Sequence, residues 1–211
     1  MMGWFDFARA PSGTTVETLR LPIFPLNTVL FPGGVQPLKI FEQRYLDMAA
    51  ACLKDNRPFG ICLIASGNET GKAAEPHPVG TLATIADWEM EQLGILQITA
   101  RGGRRFRIIE TRINADNLLE ATVELLAEEE PAALPAERRR LLPLLQRIVA
   151  DLGPERMPEP HHFDEAEWVG YRITEVLPIQ NLAKQKLLEL EDPLARLEIL
   201  ETFLDQRKLL G

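Results

Sequence analysis

The sequence predicts an α+β fold in which a β-rich region is followed by a helical region. Short segments rich in Val, Ile, Thr and Leu, separated by Gly, Pro, Asn and acidic turns, fill most of residues 17–127, as is typical of strands. One helix-like segment interrupts them, and from residue 128 helical periodicity takes over. We therefore predict a flexible N-terminal tail over 1–16, a β-rich subdomain over 17–127 and a helical subdomain over 128–211.

The strand-like segments are, in order, ETLRLPIF, GGVQPLKI, PFGICLIA, VGTLATIADWEM, LGILQITARG, RRFRIIETRI and LLEATVELLAE. The stretch SGNETGKAAEPHP, residues 66–78, clusters turn-forming residues without apolar periodicity. It predicts an exposed loop between two strands.

The segment FEQRYLDMAAACLKD predicts the single helix of the β-rich region, because its apolar residues fall on one helix face: Phe41, Tyr45, Met48, Ala49 and Cys52. Glu42 lies near the first turn, and Arg44 is placed to pair with a carboxylate or a backbone carbonyl. The stretch before the helix holds Pro22, Pro25, Pro32, Pro37, Gly33 and Gly34. Fixed proline φ angles and a positive-φ glycine turn predict a rigid corner there.

Helices are predicted over the rest of the chain. Residues 136–152 have helical spacing, with Pro143 either at a kink or near a helix start. Asp164 and Glu167 are spaced as a capping box for DEAEWVGYRITEVL, and IQNLAKQKLLEL follows. Asp192 is the predicted N-cap of the last helix, with Pro193 in its first turn. Its predicted buried stripe is Leu194, Leu197, Leu200 and Phe203/Leu204.

Composition excludes several classes of protein. The net charge of -8 opposes broad contact with a nucleic acid backbone. No apolar run approaches the ~20 residues of a membrane span, and no secretion signal is recognisable. We therefore expect a cytoplasmic protein without membrane or nucleic acid partners. Cys52 and Cys62 lie in apolar stretches and are expected to be buried thiols.

No catalytic, metal-binding or cofactor-binding residues are predicted. GNETGKA has three residues between its glycines and lacks the hydroxyl of a phosphate-binding loop. Ser66, near Lys72 and His77, is better explained as a turn serine than as a nucleophile. His161 and His162 are adjacent and lack a third ligand at metal-binding spacing. We expect the protein not to be an enzyme.

The string LPIFPLNTVLFPGGVQPLKIFEQRYLDM resembles the start of the N-terminal domain of the ATP-dependent Lon protease. FGICLI, GTLATIAD, GILQITARGGRRFRI and KQKLLELEDPLARLEIL follow in the same order, so the resemblance covers about residues 19–206. It implies a PUA-like pseudo-barrel followed by a helical bundle, and no cofactor.

The resemblance also implies a role in recognising unfolded or specific polypeptides and in protease assembly. Full Lon proteins continue into an ATPase and a Ser-Lys protease, which this sequence does not reach, so we expect a stand-alone substrate-recognition domain. An ATP-dependent protease acting in trans and a second copy of the chain are the partners that this expectation allows.

Two alternatives stay open. In the first alternative, the protein binds RNA through the arginines of the motif RGGRRFR, which are Arg101, Arg104, Arg105 and Arg107. Strand alternation places Arg105 and Arg107 on one face and Arg104 and Phe106 on the other, and these arginines could instead brace the barrel against Glu120 and Glu124. The second alternative is an adaptor for one dedicated protein, whose helices would expose an apolar patch near Trp168 and Tyr171.

Overall fold

The computed structural model describes residues 5–9, 15–129 and 131–210, apart from the side chains of residues 5–9, 15, 16 and 91. The chain folds into two compact units. The β unit holds the described residues up to Pro32 together with Gln36–Ala127, and the helical unit holds Gly33–Val35 together with the described residues from Glu128 onward. Each unit is described by itself below.

The β unit contains eight strands and one α-helix. The strands are β1 (Phe5–Arg9), β2 (Thr15–Leu26), β3 (Val35–Ile40), β4 (Phe59–Ser66), β5 (Glu75–Pro76), β6 (Val79–Gln92), β7 (Ile95–Ile113) and β8 (Leu119–Leu125). Helix α1 (Gln43–Asp55) lies between β3 and β4 in the chain.

The sheet closes into a barrel because β2 has a parallel partner as well as antiparallel ones. The strand order is β1-β2-β8-β7-β6-β4-β5, and β3 pairs with β7. The parallel pairing of β2 with β4, which sets Ile23 opposite Gly60, joins the two ends of the series β2-β8-β7-β6-β4. This ring with one inserted helix confirms the predicted α+β pseudo-barrel.

Three strand assignments differ from the sequence expectation, and the first is that Glu75–Pro76, inside the predicted exposed loop, form β5, which pairs with β4. Residues 5–9 of the predicted tail form β1, which pairs with β2, whereas residues 1–4 and 10–14 lie outside the described residues. The two strands predicted in LGILQITARG and RRFRIIETRI are one continuous strand, β7. The β6–β7 register shifts at three places along this long hairpin, as is typical of β-bulges.

The proline-rich stretch reaches the barrel as a strand and then turns. Pro22 and Pro25 lie inside β2, and Gly33 has a φ of 71°, as the predicted glycine turn requires. Gly102 on β7 permits a close backbone approach to this stretch, since a Cβ there would lie 2.2 Å from the Phe31 carbonyl oxygen. The nearby Thr81 hydroxyl donates to the Leu30 carbonyl at 2.6 Å.

The core of the β unit is built from inward strand positions and one face of α1. The predicted helix-face residues Tyr45, Met48, Ala49 and Cys52 are buried. Phe41 is the exception: it precedes the helix and is 56% exposed, so its predicted burial is wrong. Cys52 and Cys62 are buried free thiols, as expected.

The helical unit contains a 3-10 helix (Ala136–Leu141), α2 (Leu142–Arg156), α3 (Ala166–Val176), α4 (Asn181–Glu189) and α5 (Pro193–Gln206). Pro143 lies in the first turn of α2, where its missing N–H costs no hydrogen bond. The predicted capping box of α3 is wrong, because Glu165 is the N-cap and no side chain caps the helix. Asp192 caps α5 as predicted, accepting from the Leu194 N–H at 2.8 Å.

A buried ion pair lies in the core of the helical unit. Arg196 is fully buried and donates from Nη2 to Glu129 Oε1 at 2.6 Å and from Nη1 to Glu129 Oε2 at 3.0 Å. Tyr171 donates its hydroxyl to Glu129, and its ring lies 4.0 Å from the guanidinium. Leu194, predicted to be buried, is instead 42% exposed. Arg196 therefore occupies a position on the buried face of α5 that an apolar stripe would not predict.

None of the helices within the described residues combines the length and the apolar character needed to cross a bilayer.

Candidate functional site

The β6–β7 hairpin ends in an exposed apolar surface. Gly94, with a φ of 83°, turns the chain between the two strands, and Gln92 pairs with Ile95. Trp88, Met90 and Leu93 are 54%, 47% and 94% exposed, respectively. We call these three residues the hairpin-tip surface. Exposed large apolar side chains grouped on one element are typical of protein contact sites.

A groove runs along α1 on the same unit. It encloses about 320 Å³ between α1, β2, β8 and the turn between β7 and β8. Four of the buried residues that line it are apolar, namely Leu21, Met48, Cys52 and Leu118, and the fifth is Arg44. We call this cavity the α1 groove. Its volume falls in the range of sites that take small ligands or single side chains of a partner.

Arg44 fixes one wall of the α1 groove. Its Nη1 donates to the Asn117 carbonyl at 2.8 Å, and its Nη2 lies 3.1 Å from Glu42 Oε2. The sequence expectation that Arg44 pairs with a carboxylate or a backbone carbonyl is confirmed in both forms. The guanidinium also lies 4.5 Å from the centre of the Tyr45 ring, and burial raises the pKa of Tyr45. These contacts hold α1 against the turn between β7 and β8.

The four arginines of RGGRRFR differ in exposure. Arg101 and Arg107 are exposed, whereas Arg104 is half-buried and donates to Glu17 at 2.8 Å. Arg105 is only 4% exposed. The barrel-bracing alternative has partial geometric support, since Arg107 lies opposite Glu124 in the β7–β8 ladder. An RNA contact through these four residues stays a prediction, with two of their side chains withdrawn from the surface.

The remaining candidate residues lie in ordinary structural roles. His161 Nε2 lies 2.9 Å from the Met157 carbonyl, and His162 Nδ1 lies 3.1 Å from Glu165. Across the described ranges, no group of three or more His, Cys, Asp or Glu side chains is arranged to hold a metal ion. Tyr171 is buried, and Trp168 packs partly buried against the helical core. The aromatic pair that the adaptor alternative required at the surface is therefore mostly packed inside.

Sequence reasoning did not identify the hairpin-tip surface or the α1 groove. The segment WEMEQLG predicts only a strand and its turn. Residue types alone do not distinguish a strand segment inside the barrel from one that extends beyond it. The exposure of the hairpin tip therefore depends on where the ring ends. The helical spacing of Met48 and Cys52 predicted burial but not a cavity beside them.

Comparison with known proteins gives consistent matches. The family model of the ATP-dependent protease La (LON) substrate-binding domain matches residues 20–206. A Lon protease from Cytophaga hutchinsonii is 27% identical over 88% of this chain, and protein cereblon from Xenopus tropicalis is 25% identical over 74% of it. The chain spans about a quarter of the length of the Lon relative and 36% of that of cereblon.

Solved structures match over most of the chain as well. The Lon N-terminal domain protein from Xanthomonas campestris is 33% identical, with a TM-score of 0.72 over 87% of this chain and 97% of that one. The N-terminal domain of a Mycobacterium avium complex Lon protease shares the fold, with a TM-score of 0.58 at 21% identity over 86% of this chain and 95% of that one. A closed β2-β8-β7-β6-β4 ring with one inserted helix and a following helical unit is thus the architecture of a known domain. The chain belongs to the family of LON substrate-binding domains.

Proposed function

We propose that this chain is a non-enzymatic module that binds exposed apolar segments of unfolded or specific polypeptides, and that the hairpin-tip surface makes the contact. The observation that carries the proposal is the exposure of Trp88, Met90 and Leu93 at the end of one hairpin in a domain of a substrate-binding family. Such side chains lose unfavourable contact with water when a partner covers them.

The chemistry of the three side chains suits a variable partner. Trp88 offers a large flat surface, Met90 is unbranched and adapts its shape, and Leu93 at the turn is reachable from several directions. Contacts of this kind select for apolar character rather than for one sequence. The hairpin-tip surface therefore supports recognition of many clients through their exposed apolar residues.

Proteolysis of a captured client is assigned to other components in this proposal. The matched family model describes the substrate-binding part of Lon, so we propose an ATP-dependent protease as the recipient of the client. We also propose a cytoplasmic location, because Cys52 and Cys62 are free thiols and a reducing compartment preserves that state.

The test is a titration of the full chain with fluorescently labelled, reduced and carboxymethylated α-lactalbumin, which stays unfolded, at near-physiological salt. We expect saturable binding that weakens about tenfold in the Trp88→Ser and Leu93→Ser variants, since buried anchors dominate binding energy. The matched control is Ile199→Ser, which removes a 50% exposed apolar side chain from α5; its affinity should equal that of the wild type.

Two results would overturn this proposal. The first is the absence of saturable binding to the unfolded protein. The second is equal affinity in the wild type and both hairpin variants. A labelled structured RNA belongs in the same titration, because salt-sensitive RNA binding that disappears in an Arg101→Ala, Arg107→Ala double variant would establish the RNA alternative instead.

A further inference from the structure

Carboxylates and arginines line different parts of the α1 groove. The bond from Arg44 to the Asn117 carbonyl sets the first turn of α1 beside the turn between β7 and β8. Asp47, one helical turn further along α1, and Asp116, in that β turn, both line the groove. This end of the groove therefore holds two exposed carboxylates near the buried Arg44.

The opposite end is basic. Arg57 and Pro58 follow the end of α1 and lead directly into β4, whose Gly60 lies opposite Ile23 of β2. Continuing this parallel register by two residues brings Pro58 beside Leu21, and both line the groove. Arg20, which precedes Leu21 in β2, and Arg57 also line the groove, so this part of its wall carries two arginines.

Arg20 is the cation at this end that a ligand can reach. Arg57 already pairs with Asp55 at 2.9 Å, whereas within the described part of the chain no carboxylate lies within 4 Å of the exposed Arg20 guanidinium. Glu120 also lines the groove, but its charge is taken by Arg112 at 2.5 Å. An incoming carboxylate would thus find an uncompensated positive charge beside Leu21.

Arg44 adds positive charge to the groove wall. It is only 6% exposed, and its Nε has no hydrogen-bond partner within the described residues. Buried donors in proteins normally have a hydrogen-bond acceptor, and a bound anionic group or an ordered water would supply one to Arg44 Nε. The α1 groove thus combines an apolar floor, a reachable arginine and a further buried arginine.

We propose that the α1 groove binds a short extended polypeptide segment that places an apolar side chain on the floor and a neighbouring acidic side chain against Arg20. This proposal rests on the proposed polypeptide-binding function and names a preferred client feature. The floor of Leu21, Met48, Cys52 and Leu118 supplies the apolar contact, and the charge of Arg20 supplies the selection. The groove would then act beside the hairpin-tip surface, which selects for apolar character alone.

The test is fluorescence anisotropy of the full chain with three labelled peptides at near-physiological salt. The peptides share a leucine-rich segment and differ at one adjoining position, which is glutamate, glutamine or lysine. We expect the glutamate peptide to bind most tightly and the lysine peptide most weakly, with affinities about fivefold apart, as for one partly exposed ion pair. In Arg20→Glu this order should reverse.

Arg101→Glu is the matched control, because it reverses the charge of another exposed arginine of the β unit that lies outside the groove. It should keep the wild-type order of the three peptides. Equal affinity for the three peptides, or an order that Arg20→Glu leaves unchanged, overturns the groove proposal while binding of unfolded α-lactalbumin keeps the proposed function. Absence of binding to both the peptides and α-lactalbumin overturns the two together.

Discussion

Arg196 and Glu129 form a bidentate ion pair whose two side chains are 0% and 1% exposed. The residues are 67 positions apart in the chain, so the pair ties the segment after the last β strand to α5. Arg196 also donates to the Leu187 and Leu190 carbonyls at 3.0 and 2.7 Å. One side chain thereby satisfies the Leu187 carbonyl in the last turn of α4 and the Leu190 carbonyl just after it.

Removing one partner of this pair should be strongly destabilising. Arg196→Met removes the bidentate partner of the buried Glu129 carboxylate, and we expect a loss of about 3 to 5 kcal/mol in the free energy of unfolding. The measurement is urea unfolding followed by the helical circular dichroism signal. Combining Arg196→Met with Glu129→Leu should recover part of the loss, because both members of the bidentate pair are then removed together.

The control for this prediction is Arg147→Met, which removes an exposed arginine 3.9 Å from Asp151. Its unfolding free energy should stay within about 0.5 kcal/mol of the wild type. A similar small effect of Arg196→Met would contradict the structural role of the buried pair.

The two adjacent glycines of RGGRRFR should respond differently to the same substitution. Gly102→Ala would place a Cβ 2.2 Å from the Phe31 carbonyl oxygen. The backbone would have to move to relieve this clash. We expect a loss of about 2 to 3 kcal/mol, measured by chemical unfolding of the full chain. In Gly103→Ala the nearest atoms lie 3.7 Å away, on Leu82, in ordinary contact. Equal stabilities of these two variants would be inconsistent with the close approach.

Glu175 should make the stability of the protein depend on pH. Burial raises the pKa of this carboxyl to about 7, and Arg172, Lys184 and Arg156 oppose the shift. Arg172 Nη2 lies 3.2 Å from Glu175 Oε1, and Lys184 donates to the Glu175 carbonyl at 2.7 Å. The carboxyl is therefore paired, but desolvation dominates its titration.

The direction of the pH effect follows from this raised pKa. Between the ordinary pKa of 4.5 and about 7 the folded protein holds a proton that the unfolded chain has released. The contribution of Glu175 to stability is therefore present below about pH 4.5 and is lost as the pH rises to about 7. We expect the stability of Glu175→Gln, relative to the wild type, to rise over this window by at most about 3 kcal/mol. A constant difference between the two proteins across the window would refute the assignment.

Local signals in the sequence predicted local structure well. Asp192 followed by Pro193 marks a helix start through atoms that lie within one turn, and the positive φ of Gly33 follows from its place in a proline-bounded turn. The buried face of α1 followed from its periodicity. The failed capping box at Asp164 shows the limit of spacing alone, because Glu165, one residue further on, occupies the N-cap position of α3.

The buried arginines and the candidate site depend on long-range contacts that residue spacing does not contain. Arg196 and Arg105 are buried although arginine normally predicts exposure, and in Arg196 this depends on a carboxylate distant in the chain. The exposure of Trp88 and the groove beside Met48 depend on where the barrel ends and how α1 rests on it. Those features arise from tertiary packing, so one sequence does not reveal them.

The order of strands in the ring also governs when the barrel can form during synthesis. β2 pairs with β8, with Leu19 opposite Val123, so the ring needs strands from both ends of the β unit. A nascent chain that has emerged only through β7 lacks β8, the strand that joins β7 to β2. The apolar residues of β2 then have no β8 partner. Pairing of such distant segments slows folding and leaves unpaired strands open to association with other chains. Unpaired strands of the β unit therefore stay exposed until residues 119–125 leave the ribosome.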